Sequence, residues 1–312
     1  MAHKYGGPWS EIKLDAVEYY LQCYSNALTP KNMDIWYIDA YAGSGDRETE
    51  REVGGILEGR ELETVVEVLD GSARRALKIS PPFKHFVFIE KDPVRATQLA
   101  AVRDDFPGVE IEVLRGDANE ELRKFISKAP WTRKAKSFSR GVVFLDPFSM
   151  QVDWSTLKAL AETECLDVWY FFNVQAIIRQ LAHDIEGVGN KDKTLDRVLS
   201  PRWRELYAIQ PEEPSGQVDL FENLAVPTKE PTAKRTISKD QIDKWFKTLL
   251  EDEFSFVSDP LPILTPHSGH TFSLFLAVAN RHPKATELAE KFVRYVNKHF
   301  APGSASRRTS GR

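Results

Sequence analysis

Apolar and polar positions follow two rhythms along this chain. Over residues 9–28, Ile12, Leu14, Val17, Tyr20, Leu21 and Tyr24 recur at near-helical spacing, and Pro30 closes the segment. This predicts an amphipathic N-terminal helix. Five continuous apolar runs of strand length follow: DIWYIDAYA (34–42), HFVFIEKD (85–92), VEIEVLRGD (109–117), GVVFLDPF (141–148) and LDVWYFFNV (166–174). Helix-like stretches separate most of them: SARRALKIS, PVRATQLAAVRDDF, ANEELRKFISKA and WSTLKALAETE. Strands that are apolar on both faces and alternate with helices predict a mainly parallel sheet covered on both sides. Near the end, FSFVSDPLPIL and HTFSLFLAVAN have no helix between them, which predicts an antiparallel pair at the sheet edge, and KATELAEKFVRYVNKHF predicts a last helix.

The expected organisation is a helical segment at 1–30 packed on a core domain at 31–300, with a small, polar tail at 301–312 expected to be disordered. Two segments interrupt the domain. One is charge-rich, at 46–70; the other, at 187–236, holds a short helix, KTLDRVLSPRWRELY, and then a Pro-rich polar stretch. Loops of such length are functional or disordered.

Composition adds limits. Hydrophobic residues make up 42% and charged residues 28%, as in soluble globular proteins. Two cysteines, Cys23 and Cys165, make no disulfide framework or metal motif, and the start of the chain has no signal-peptide core. No apolar run is long enough to span a bilayer, so a cytoplasmic location and no membrane partner are expected. A net charge of -4 argues against a dedicated nucleic-acid binder but leaves room for a local basic face. RVLSPRWRELY interleaves arginines with Trp203 and Tyr207, which suits phosphate contact and base stacking. An amphipathic helix packing those aromatics inward is the favoured reading. His267 and His270 read as a loop pair, and no metal site is expected.

The chemistry gathers at the strand ends, where open α/β sheets bind ligands. The first strand ends in Asp39-Ala40-Tyr41-Ala42-Gly43-Ser44-Gly45, whose glycines allow a tight turn and close approach of a ligand. Glu90-Lys91-Asp92 ends the second and places an acceptor for ribose hydroxyls; Gly116-Asp117-Ala118-Asn119 ends the third, where Asp117 accepts from an adenine amine, and Asp117 or Asn119 caps the helix that starts at Glu120. Asp146-Pro147-Phe148 ends the fourth, an acceptor beside a flat ring that suits a planar amine, or else a structural turn with Phe148 in the core. GSGDRE lacks the third glycine of a dinucleotide fingerprint, which disfavours a nicotinamide cofactor.

The series YIDAYAGSG, FIEKD, RGDAN and FLDPF resembles the successive motifs of class I S-adenosylmethionine (SAM) methyltransferases. That resemblance implies an α/β fold, a doubly wound, mainly parallel seven-stranded sheet with an antiparallel last strand. WSEIKLDAVEYYLQCY, YIDAYAGSG, GSARRAL, FIEKD, GDAN, FLDPF, WYFFNV and FLAVANRHP, spread over most of 9–283, resemble the three-Cys-motif partner protein (TcmP) family. Its members are methyltransferase-like and are named for a gene neighbour that resembles a radical-SAM protein. The resemblance implies S-adenosyl-L-methionine as cofactor. It places Asp39, Tyr41, Gly43 and Gly45 around the methionine part, Glu90 with Asp92 at the ribose strand end, and Asp117 and Ala118 beside the adenine. Asp146, Pro147 and Phe148 line the methyl-transfer site. Lys13 reaches the cofactor carboxylate, or is a solvated lysine. DPF is similar to the [DNS]PP[YFW] motif of amino-methyltransferases without its second proline, which weakens the expectation of a nucleic-acid base amine as acceptor. The expected partners are nucleic acid or the three-Cys-motif radical-SAM-like protein. The alternatives are a binding partner of that protein with little catalysis of its own and a small-molecule methyltransferase.

Overall fold

The structure is a computed structural model that describes residues 8–55, 60–128, 130–131, 139–209, 232–265 and 269–300. The opening amphipathic pattern forms α1, Pro8–Leu28. The apolar runs form β1 (Asp34–Asp39), β4 (His85–Glu90), β5 (Glu110–Arg115), β6 (Ser139–Leu145) and β7 (Leu166–Phe172). Between β1 and β4, β2 (Asp46–Gly55) and β3 (Arg60–Asp70) pair as an antiparallel ribbon, followed by α2 (Ser72–Leu77). Helices α3 (Pro93–Ala101), α4 (Ala118–Ile126) and α5 (Trp154–Glu162) fill the expected crossovers. After β7 come α6 (Val174–Gln180), α7 (Asp192–Leu199), the short pair β8 (Tyr207–Ala208) and β9 (Lys234–Arg235), and α8 (Ile242–Glu251). The chain closes with β10 (Phe256–Val257), β11 (Leu261–Thr265), β12 (Gly269–Val278) and α9 (Pro283–Phe300).

The sheet order is β5-β4-β1-β6-β7-β12-β10, with β11 also on β12. Strands β5, β4, β1, β6 and β7 pair in parallel, and β12 runs antiparallel between β7 and β10. This is the doubly wound, mainly parallel arrangement with a reversed last strand, and the fold is of class I methyltransferase type. The expected antiparallel pair is present, but the sheet has eight strands rather than seven, because FSFVSDPLPIL forms two short strands, β10 and β11, both on β12. Ser258 bridges them: its N–H donates to Leu276 O at 2.8 Å, and its Oγ accepts from Leu276 N at 3.0 Å.

Alternation along each strand feeds two cores. Ile38, Val87, Val143, Leu145, Val168 and Tyr170 face the side covered by α4–α8. Tyr37, Phe86, Phe88, Phe144, Trp169 and Phe171 face α1, α2, α3 and α9. Helix α1 buries Leu14, Val17, Tyr20, Leu21 and Tyr24 on that second side, each contributing about 1.5–3 kcal/mol of hydrophobic stabilisation. Its acidic flank is clamped by Arg75, whose Nη1 reaches Asp15 Oδ1 at 2.8 Å and Glu18 Oε2 at 3.0 Å and whose Nη2 contacts Glu11. Among the described residues, no helix is long and apolar enough to cross a membrane.

The 187–236 insertion breaks at Ser200, which has a φ of 62° and precedes a 3-10 turn at Pro201–Leu206. Trp203 and Tyr207 are buried in the first core, while Arg202 pairs with Glu205 and Asp252, and Arg204 with Asp196. The inward-packing reading of this segment therefore holds. Residues 210–231, His267 and the 301–312 tail lie outside the described residues.

Tyr20 and Asp167 form a buried pair beneath the sheet, with Tyr20 Oη donating to Asp167 Oδ2 at 2.7 Å. Burial raises the Asp167 carboxyl to about 7, against the opposing pull of the Tyr20 hydrogen bond and of Arg140. A raised carboxyl binds its proton more tightly in the folded state. Stability from this group is complete below the ordinary aspartate range and is lost as pH rises through about 7. Asp167→Asn is expected to remove this loss, on the order of a few kcal/mol. Urea unfolding from pH 5 to 8 should show a flatter dependence than wild type. An unchanged slope would contradict the assignment.

Candidate functional site

The chain passes from β1 out to β4 and β5, then returns to β6 on the other side of β1, so the switch point lies between β1 and β6. The crevice there is held by backbone bonds between strand ends. Ala40 N donates to Phe144 O at 3.1 Å, Ala42 N to Ile89 O at 3.1 Å, and Gly116 N to Glu90 O at 3.2 Å. Asp39, Glu90, Asp117 and Asp146 thus lie at the carboxyl ends of neighbouring parallel strands, with adjacent strands about 4.8 Å apart.

Asp39 is fully buried, and its Oδ1 accepts from Tyr41 N at 3.1 Å. Burial raises its carboxyl to about 7. The Ser72 hydrogen bond, the Tyr41 amide and Lys13 oppose the rise, and the negative charge of Asp146 adds to it. A buried acid in this state gains most from a cationic ligand. Lys13 projects from α1 into the same crevice. It is 7% exposed, its Nζ lies 2.5 Å from Asp146 Oδ2, and it sits 4.4 Å from the centre of the Phe171 ring. The solvated reading of Lys13 therefore fails, and its ammonium meets the acid of the DPF turn. Pro147 is buried at that turn, whereas Phe148 is 53% exposed, so its ring is not part of the core.

On the β4 side, Glu90 is 6% exposed, and both of its described contacts use Oε1: Asp92 N at 2.7 Å and Arg95 Nη2 at 3.0 Å. The Arg95 guanidinium lies 6.0 Å from the Phe148 ring centre and so spans from the second strand end toward the fourth. Asp92 turns to its own helix; its Oδ1 accepts from Val94 N at 3.0 Å and Arg95 N at 2.9 Å. This is an N-cap, for which aspartate is favoured.

On the β5 side, Asp117 caps α4 by accepting from Asn119 N at 3.0 Å, and Lys91 Nζ lies 3.5 Å from its other oxygen. Burial raises its carboxyl, but the Asn119 amide and Lys91 outweigh it and hold the group below the ordinary aspartate range. Ala118 is buried beside it. Tyr41 packs on the first core, and burial, with Tyr170, Asp117 and Asp153 nearby, pushes its phenol well up.

This donor set fits a nucleoside that carries a positive charge. Gly43 has a φ of +64°, and a Cβ there would meet nothing within 4 Å, which leaves the room a ligand needs to approach the backbone. Glu90 is a buried carboxylate that could accept from a vicinal diol, Asp39 a buried acid that could offset a cation, and Ala118 a small side chain that could leave room for a planar base. Lys13 and Asp146 both act on Asp39, and Arg95 links Glu90 toward Phe148.

No family model matches this chain, and no curated protein matches it. Among solved structures it is similar to protein LPL1258 from Legionella pneumophila, at 12% identity over 96% of each chain with a TM-score of 0.49. It is also similar to Trm1 from Pyrococcus horikoshii, solved with S-adenosyl-L-methionine. That likeness has 13% identity over 92% of this chain and 61% of that one, with a TM-score of 0.42. A third likeness is to a S-adenosylmethionine-dependent methyltransferase from Clostridium acetobutylicum, at 11% identity over 83% of this chain and 91% of that one, with a TM-score of 0.33. All three are distant, and the fold assignment rests on the strand order given above.

The two turn glycines carry different constraints. Gly45 has a φ of +88°, and a Cβ there would lie 2.9 Å from Val102 Cγ2. It also closes the base of the ribbon, accepting from Gly71 N at 3.0 Å. Gly45→Ala is expected to destabilise the fold by about 1–3 kcal/mol through strain and overpacking. Gly43→Ala meets no protein atom and carries only the left-handed penalty of about 1–2 kcal/mol, while its methyl enters the open space beside the turn. Denaturation and cofactor titration of both variants check this. A larger stability loss at position 43 than at 45 would contradict it.

Several contributors were not foreseen. Arg95 is a first-turn residue with no motif of its own. Phe171 was read only as strand core. Asn119 was weighed as a cap. It instead ties the loop after β6 to α4: its Nδ2 donates to Gln151 O at 2.7 Å, and its Oδ1 accepts from Asp153 N at 2.8 Å and Thr156 Oγ1 at 2.9 Å.

Proposed function

We propose that this chain is a SAM-dependent methyltransferase that delivers the methyl group to an amino nitrogen. The observation that carries the reading is the meeting of Asp146, Lys13 and exposed Phe148 at the strand end beside the glycine turn. S-adenosyl-L-methionine, when bound, supplies an electrophilic methyl on a sulfonium. Asp39 would face the cationic end of that molecule, Glu90 would accept from the ribose hydroxyls, and Asp117 and Ala118 would flank the adenine. Phe148 offers its ring to a planar acceptor. Asp146 accepts an N–H of the acceptor amine, orients the nitrogen lone pair at the methyl, and draws off the proton that the nitrogen sheds on methylation. Lys13 balances the acid's charge and fixes the carboxylate's direction. Orientation supplies most of the rate gain in such a site.

An amine of a nucleic-acid base is the acceptor class that the planar Phe148 platform favours. Membership of the TcmP family and a cytoplasmic setting belong to the same reading. A second reading draws on Lys13 occupying Asp146: a methyltransferase-fold partner of a three-Cys-motif radical-SAM-like protein, in which Asp146 is dispensable in cells. Incubation with methyl-tritiated SAM and fractionated cell extract is expected to label an amine-bearing acceptor. Label found only in protein or small molecules rejects the nucleic-acid acceptor, and no label in any fraction contradicts catalysis.

A further inference from the structure

The turn after β6 does not stand alone. Arg197, on α7 of the 187–236 insertion, reaches across to it. Its Nη2 donates to Met150 O at 2.9 Å and its Nη1 to Asp153 Oδ1 at 2.6 Å. From the other side Asn119 holds Gln151 and Asp153, and Arg123 Nη1 donates to Ser155 Oγ at 2.9 Å. Within the loop, Phe148 N donates to Gln151 Oε1 at 3.0 Å. The exposed Phe148 ring therefore hangs from a loop gripped by α4 on one flank and by the insertion on the other. The Arg197 charge also acts on the Tyr41 and Tyr170 phenols, opposing the rise that burial causes.

We infer that Arg197 is a positioning residue for the methyl acceptor: through Met150 O and Asp153 it sets the loop that presents Phe148, so the insertion governs acceptor binding. The inference rests on the proposed methyltransferase reading. The hydrogen bonds of Arg197 go to Met150 and Asp153 rather than to Asp39, Glu90 or Asp117, so its loss is expected to bear on the acceptor loop more than on the strand ends that would hold the cofactor. A planar fork is needed to serve a carbonyl and a carboxylate at once, so lysine, a point charge, replaces arginine only in part.

The test compares wild type with Arg197→Ala, Arg197→Lys and the control Arg202→Ala. Arg202 lies in the same insertion, and its partners, Glu205 and Asp252, are exposed. Each protein is assayed for SAM binding by titration calorimetry and for methyl transfer to the labelled extract fraction over a range of acceptor concentrations. For Arg197→Ala the acceptor KM is expected to rise at least about 10-fold while the SAM Kd stays within about 2-fold of wild type. Arg197→Lys falls between, and Arg202→Ala matches wild type. Hydrogen exchange of residues 147–153 should accelerate in Arg197→Ala alone. An active wild type with an unchanged acceptor KM in Arg197→Ala overturns the inference, as does a fall in kcat with KM unchanged. A wild type that neither binds SAM nor transfers methyl overturns the methyltransferase reading instead.

Discussion

Asp146→Ala is expected to lower methyl transfer by about 10²- to 10⁴-fold, the range for removing a group that handles a proton in the transition state. The same change strands the Lys13 ammonium, which is 7% exposed and lies against Phe171. Breaking a fully buried ion pair from one side costs about 3–5 kcal/mol. The lower end applies here, because the Asp146 side chain is 23% exposed. Lys13→Met removes the charge and keeps the apolar stem, leaving an acid that can reach water, so its stability loss is smaller. The double variant should therefore be more stable than Asp146→Ala alone, although its methyl transfer stays as low as that of the single variant. Asp146→Asn, which keeps the shape and one acceptor, should retain more stability than Asp146→Ala. Urea melts of wild type, Asp146→Ala, Lys13→Met and the double variant give the coupling directly. Strictly additive losses would mean that the two groups do not form a pair in solution.

Glu90→Ala is expected to raise the SAM dissociation constant by at least about 10²-fold. A hydrogen bond to a charged acceptor is worth about 1.5–3 kcal/mol, and a diol makes two. The effect should appear with S-adenosylhomocysteine as well, because the ribose is common to both. Arg95 is left without its carboxylate, but its side chain is 32% exposed and can reach water, so the fold should survive. Glu90→Gln keeps one acceptor and introduces a donor beside Arg95, and its affinity should lie between those of wild type and Glu90→Ala. Calorimetric titration checks both variants. Unchanged affinity in Glu90→Ala would remove the ribose assignment.

The strand ends were legible because one physical rule made them so. A parallel sheet buried on both faces writes its inner strands as mostly apolar runs, and an acid at the end of each run marks the ligand side; the edge strand β5 alternates instead, with Glu110 and Glu112 exposed, yet leads to Asp117 in the same way. Asp39, Glu90, Asp117 and Asp146 were found in that way. Phe148, balanced between core and crevice in the sequence, is 53% exposed, a question that only the packing around the turn could decide. Lys13 carried a readable signal. It shares a helical face with Ala16, Val17, Tyr20 and Tyr24, all buried, and a lysine in such a stripe needs a partner. That the partner is Asp146 required the fold, because 133 residues separate them. Arg197 is legible in the sequence only as one arginine of RVLSPRWRELY: its contact with Met150 and Asp153 comes from α7 lying beside the loop after β6, a tertiary fact with no periodicity behind it. Asp92 shows the converse, since an acid in the expected place spends one oxygen on capping α3.

The most direct test is a crystal structure of the protein with S-adenosylhomocysteine. The account predicts one nucleoside at the carboxyl ends of β1, β4 and β5, with both ribose hydroxyls on Glu90, the adenine against Ala118 and the sulfur within reach of Asp146. Density elsewhere on the molecule, or a ribose turned away from Glu90, would contradict it.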